Sequence, residues 1–199
     1  MNVDRVLSVL KKHTSGSASW YGHCVEVSAA SRNLAELISE QGHQVDVEQT
    51  AVLGLLHDLG RSRGHNLRHG MEGYLLARSE GYEREGRICL VHLLKGRTLE
   101  RGVELGMLTE HELRELKTRN QRWDRLTLEE KIVCVADALT SDARLATVEE
   151  KYADIRRRYG AFPHHYEDEN WIQEIAAELT ELMGRSPYEA LKDANDDFL

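Results

Sequence analysis

Three apolar runs in this chain, LLHDL at 55–59, LVHLL at 90–94 and VADAL at 135–139, each carry an ionisable residue where packing alone calls for none. Such runs fold to the inside. A lone carboxylate carried in with them costs several kcal/mol or loses its charge, so Asp58 and Asp137 need strong partners. For either one alone, helix-end amides or an arginine would serve as well as a metal ion. Three insertions of this kind, two of them with His, favour a metal.

The rest of the chain reads as helix. It has 2 Pro in 199 residues, and its apolar positions recur at three- and four-residue steps with little strand-like alternation. Val3, Val6, Leu7 and Leu10 mark a first amphipathic helix with Lys11 and Lys12 at its polar end. A turn around Thr14–Ser19 leads to a second helix over about 20–39, closed by Gly42 as a left-handed cap. Asp46 with Gln49 has the form of a capping box, predicting a third helix that runs through AVLGLLHDL to Gly60. Shorter helices are expected at about 70–79, 84–94, 99–105 and 110–116. Thr127 with Glu130 opens the apolar helix EEKIVCVADALT, and helices over about 146–159 and 171–183 and from Ser186 onward complete the chain. No repeat or linker divides it. A single all-α domain over 1–199 is expected, with a motif-bearing core at about 20–140 and residues 141–199 as helices packed on it.

Composition narrows the function classes. A net charge of −8 argues against polymeric nucleic acid as a partner. No run approaches the roughly 18 apolar residues of a membrane span, and MNVDRVLSVLKK lacks a signal-peptide core. Cys24, Cys89 and Cys134 are widely spaced among Val, Ile and Leu, as buried thiols of a reducing cytoplasm would be. Trp20, Tyr21, Trp123 and Trp171 read as core or interface aromatics, His164-His165 as a surface loop, and the terminal DDFL as a frayed acidic tail.

An HD dipeptide alone carries little information, but His57-Asp58 has company: His23 one helix earlier, His69 after the turn, His92 at the end of a later helix and Asp137 inside a late one. Distant helices of a bundle can bring such groups to one point. This ordered set resembles the HD-domain superfamily of metal-dependent phosphohydrolases. LLHDLGRSRGHNLRHGMEG is similar to the HDIG form of the motif, with Leu59 where the name has Ile, and TLEEKIVCVADAL to the segment with that family's final Asp. The resemblance covers about 20–140, is closest to the small stand-alone HDIG-type proteins, and implies an HD-type helical bundle.

The resemblance also implies roles. His23, His57, Asp58 and Asp137 are expected to hold one metal, while His69 and His92 hold a second that Asp58 bridges; single-metal HD nucleotidases commonly lack those two histidines. Nitrogen and oxygen donors without thiolate suit one or two divalent ions, Mn, Fe, Co, Ni or Zn, with Mg also compatible. Cys89 is set aside as a ligand because no second nearby Cys supports it.

The turn between Asp58 and His69 holds Arg61, Arg63, His65 and Arg68 and no acidic residue. In an acidic chain that is a local positive field suited to a small phosphorylated or nucleotide substrate. Arg61, Arg63, His65 and Lys95 are the expected substrate-binding groups, with Arg97 and Arg101 as an extension of the patch. Asp58 and Arg61 are the expected catalytic pair: two metals share a hydroxide that attacks phosphorus, Asp58 orients it and Arg61 stabilises the developing charge. The same ligand order occurs in HD-type mixed-valent di-iron oxygenases, and a non-catalytic, nucleotide-binding metal sensor would keep it too. The arginine-rich turn favours hydrolysis. Substrate, metal and oligomeric state are not written in the sequence.

Overall fold

Side-chain caps set most of the helix starts. In the computed structural model, which describes residues 2–14, 19–119, 121–141 and 144–196, Asn2 accepts from the Asp4 and Arg5 amides to open α1 (Val3–His13). Helix α2 spans Ser19–Glu40, and Asp46 accepts from the Gln49 amide to open α3 (Val47–Leu56). A 3-10 turn, Leu59–Ser62, precedes α4 (His69–Ser79) and α5 (Arg87–Leu94). Then come α6 (Leu99–Glu104), α7 (Glu110–Lys117) and α8 (Leu128–Leu139). A two-stranded antiparallel pair, β1 (Thr140–Ser141) with β2 (Arg144–Leu145), leads to α9 (Val148–Tyr159), α10 (Pro163–Met183) and α11 (Pro187–Asp196). Reciprocal capping boxes at Thr109/Glu112, Thr127/Glu130 and Thr147/Glu150 start α7, α8 and α9. Each satisfies two of the amides that a helix start leaves without partners.

Helix α3 is the centre of the molecule. Every residue from Thr50 to Leu56 is buried, because α2, α8 and α1 all pack on it. Helix α8 meets α2, α3 and α5 of the motif-bearing core as well as α9, α10 and α11 that follow it. Glu130 ties α5 to α8: besides capping α8 it pairs with Arg87 at the start of α5, and Arg87 Nη2 also donates to the carbonyls of Arg122 at 2.6 Å and Arg125 at 2.5 Å. Trp20 and Trp123 lie in the core, with Tyr21 and Trp171 packed against it, and the three cysteines are buried and free. Among the described residues no helix is long and apolar enough to cross a membrane.

Two helices differ from expectation. Helix α3 stops at Leu56, so His57 and Asp58 occupy the bend that follows, where the 3-10 turn folds back onto α4. Helix α10 begins at Pro163, not near Trp171, because proline at the first position has no amide to lose and its φ is already helical. His164 and His165 therefore lie in its first turn instead of a loop, with His165 buried. The turn expected between Thr14 and Ser19 and the tail residues 197–199 lie outside the described residues.

The bend requires Gly60. A Cβ there would sit 1.9 Å from the His69 carbonyl oxygen and 2.5 Å from the Gly73 nitrogen, both backbone atoms that cannot swing aside. Gly60→Ala is expected to cost at least about 2 kcal/mol, a fall of about 4–8 °C in Tm. Gly64→Ala, where a Cβ meets nothing within 4 Å, should stay within about 0.5 kcal/mol of wild type. Thermal melts of the two variants side by side check this, and equal melting points would contradict the packing argument.

Candidate metal centre

Six side chains from five segments meet around Asp58. His23 comes from α2, His57 caps the end of α3, Asp58 follows it, His69 opens α4, His92 lies on α5 and Asp137 on α8. Their approach depends on small residues at the crossings: a Cβ on Gly70 would lie 2.9 Å from the Cys89 carbonyl oxygen, so α4 and α5 are nearly in backbone contact.

The two carboxylate oxygens of Asp58 face different partners. Oδ1 lies 3.1 Å from His69 Nε2 and 3.6 Å from His92 Nε2. Oδ2 lies 3.6 Å from His57 Nε2 and 3.8 Å from His23 Nε2. On that second side Asp137 Oδ1 stands 3.0 Å from His23 Nε2 and 3.9 Å from His57 Nε2. His23, His57 and Asp137 form one potential ligand group, and Asp58, His69 and His92 another.

Backbone carbonyls fix the imidazole tautomers. His57 Nδ1 donates to the Gly54 carbonyl at 2.7 Å, His69 Nδ1 to Asn66 at 2.6 Å and His92 Nδ1 to Ile88 at 3.0 Å. A carbonyl can only accept, so the neutral ring carries its proton on Nδ1 and aims the Nε2 lone pair at Asp58, which is how metal-binding histidines are oriented. His57 Nε2, His69 Nε2 and Asp58 Oδ1 are buried and make no hydrogen bond. Lone pairs facing one another at about 3–4 Å repel unless a cation lies between them. The donor set therefore fits divalent ions, one on each side of Asp58.

Burial pushes His57 down to about 4 and lowers His92 as well. Burial also works against the charge on Asp58, yet His57, His69 and His92 when they carry a second proton, together with the Arg61 guanidinium, outweigh it and hold the carboxyl well below the usual carboxylate range. Asp137 is held well below that range too: burial opposes its charge, but Lys151 outweighs it, together with His23 and His57.

The cations sort into distinct places. Arg61 Nε lies 2.5 Å from Asp58 Oδ2. Arg63 and His65 are exposed on the turn, and Arg63, Asn66, Arg68, His69 and Glu72 line a cavity of about 280 Å³. Arg68 is committed elsewhere, making a two-pronged pair with Glu112 at 2.9 and 2.7 Å. Lys95 closes α5 in the left-handed conformation, φ 48°. Its Nζ donates to the His92 carbonyl at 3.1 Å and stands 3.9 Å from Asp168 Oδ2, and Asp168 also pairs with Arg97 at 2.5 Å. Arg101 pairs with Glu104. Sequence reasoning missed Lys151, whose Nζ lies 3.7 Å from Asp137 Oδ1. The available signal was the Thr147/Glu150 capping box, which opens a helix soon after VADAL and puts Lys151 in its first turns.

Against known proteins, a family model described as HD domain matches residues 20–142. An uncharacterized protein of Methanocaldococcus jannaschii, MJ0778, is 34% identical over 161 residues, covering 80% of this chain and 88% of the relative. No solved structure matches the chain.

The low value for His57 has a consequence for stability. Unfolded, the ring takes a proton at about 6.5. Folded, it refuses one until about 4, so the unfolded state gains protons first as pH falls. Stability is then full above pH 6.5 and is lost progressively toward pH 4. For metal-free protein we expect a loss of about 2–3 kcal/mol between pH 7.5 and 4.5 from this group. Urea unfolding after chelation measures it, and a flat profile over that range would contradict it.

Proposed function

The chain belongs to the HD domain family, the superfamily of metal-dependent phosphohydrolases, and on that premise we propose that it hydrolyses a small phosphate ester or nucleotide with a pair of divalent ions. One observation carries the reading: the two oxygens of a single buried carboxylate, Asp58, face separate groups of imidazole Nε2 atoms, and on each side one of them, His57 Nε2 and His69 Nε2, is buried without a hydrogen-bond partner. His23, His57, Asp137 and Asp58 Oδ2 would hold one ion, and His69, His92 and Asp58 Oδ1 the other. Mn, Fe, Co, Ni, Zn and Mg all suit such donors. Ions so held supply Lewis acidity and lower the pKa of a bound water from 15.7 toward about 7.

The protein's own residues do the rest. Asp58, with no hydrogen bond to Oδ1, stays ionised and fixes the two halves of the site relative to each other. Arg61 brings a permanent positive charge to the reacting phosphoryl group and stabilises the charge that builds up there. Arg63 and His65, on the exposed side of the turn, draw the anionic substrate toward the cavity beside His69. Lys95, closed in behind His92, contributes its field. The concentration of cations over 61–68 in an acidic chain favours hydrolysis of a phosphorylated substrate over oxygen chemistry.

Phosphate release from a panel of phosphomonoesters, nucleotides, dinucleoside polyphosphates and cyclic dinucleotides, assayed without oxygen on protein loaded with Mn, Co or Ni, tests the function. Turnover of at least one member is expected. Oxygen-dependent turnover by the iron-loaded protein, or tight nucleotide binding with no hydrolysis at all, would contradict it. Asp58→Ala should lower the rate by about 10³-fold or more and lose at least one ion. His69→Ala and His92→Ala should each weaken one ion selectively. Two ions per chain retained in all three variants would mean that the site lies elsewhere.

A further inference from the structure

Two side chains of the six-residue cluster, and two cations beside it, reach solvent. His57, Asp58, His69 and His92 are buried, whereas the side chains of His23, Asp137, Arg61 and Lys151 are 18, 25, 36 and 19% exposed. This partly exposed face has a cation at each of the two carboxylates: Arg61 beside Asp58 and Lys151 beside Asp137.

Lys151 is built into its place. Its Nζ donates to the Thr140 carbonyl at 2.8 Å and the Asp137 carbonyl at 3.3 Å at the end of α8, the latter carbonyl also accepting the Thr140 amide. The ammonium has three hydrogens. Among the described residues the third has no acceptor within hydrogen-bonding distance, Asp137 Oδ1 standing off at 3.7 Å. Arg61 meets Asp58 through Nε, leaving its terminal nitrogens without a second carboxylate partner among the described residues.

A fixed positive charge next to a ligand carboxylate works against cation binding, because like charges repel. Beyond its effect on the Asp137 carboxylate, Lys151 therefore does not itself draw ions into the site. Its charge gains where a dianion arrives, since a phosphoryl group held by metals still presents oxygens that need a counter-charge. We propose that Lys151 is a substrate-binding residue that takes a non-bridging phosphoryl oxygen across the partly exposed face from Arg61. The residue comes from α9, beyond the segment 20–142 that matches the family, so the carboxy-terminal helices supply part of the phosphate site as well as packing. This inference rests on the phosphohydrolase reading.

Calorimetric titration of the full chain, loaded with Mn²⁺, with inorganic phosphate tests it, alongside separate Mn²⁺ titrations. Lys151→Met and Lys151→Gln should weaken phosphate about 10–100-fold, the range for one charge-assisted hydrogen bond, while Mn²⁺ affinity is unchanged or tighter. Lys151→Gln can still donate to the two carbonyls and serves if Lys151→Met does not fold. Lys151→Arg should stay within a few-fold of wild type. As a control for net charge, Lys131→Met, which removes a cation paired with Glu178, should leave phosphate binding unaltered. Wild-type phosphate affinity in Lys151→Gln overturns the inference alone. So does a loss of Mn²⁺ affinity, which would make the residue a support for Asp137. Wild-type protein that takes up Mn²⁺ but no phosphate overturns the phosphohydrolase reading and this inference with it.

Discussion

A buried carboxylate surrounded by lone pairs governs this molecule. Elsewhere the chain satisfies its buried charges with protein: Arg68 grips Glu112 with two nitrogens, and Arg87 meets Glu130 and two carbonyls. At Asp58 it does the opposite. Three imidazoles spend their protons on backbone carbonyls and turn bare nitrogens inward. With the rings neutral, that arrangement sets lone pair against lone pair, and Arg61 is the cation paired with the carboxylate. It becomes favourable when doubly charged ions enter, so the free energy missing from the protein reappears as affinity for metal.

The fold can be understood as the support for that arrangement. Helix α3 is buried from Thr50 onward and ends so that His57 and Asp58 fall in a bend, where a carboxylate can reach both sides of the site. Glycine lets the turn after the bend lie on the backbone of α4. The Arg87–Glu130 contact couples the start of α5 to the start of α8, which sets the helix of His92 against that of Asp137. Local sequence preference and global structure agree along most of the chain. They part where ionisable residues interrupt apolar runs, as expected at a functional site.

Much of this was legible in the sequence. The helical class followed from periodicity, and the box at Thr127/Glu130 located the start of α8. His57, Asp58, His92 and Asp137 stood out because they interrupt apolar runs, where a buried ionisable group demands an explanation, and His23 and His69 through their order beside the HD pair. Other features left no such trace. Arg68 looks like Arg61 in the sequence, yet one is neutralised by a glutamate 44 positions away and the other stands at Asp58. The early start of α10 was hidden because the apolar spacing appears only after several turns of polar helix. Lys151 was hidden because a lysine in an amphipathic helix normally faces water, and only the packing of α9 on α8 turns it toward Asp137.

The central claim is that Asp58 joins two cation sites. An X-ray structure of cobalt-loaded crystals, with anomalous data collected on both sides of the cobalt edge, addresses it directly. We expect two anomalous peaks, one bounded by His23, His57, Asp137 and Asp58 Oδ2, the other by His69, His92 and Asp58 Oδ1. Peaks only at surface residues, or none, with the imidazoles turned so that Nε2 bonds the carbonyls, would contradict it.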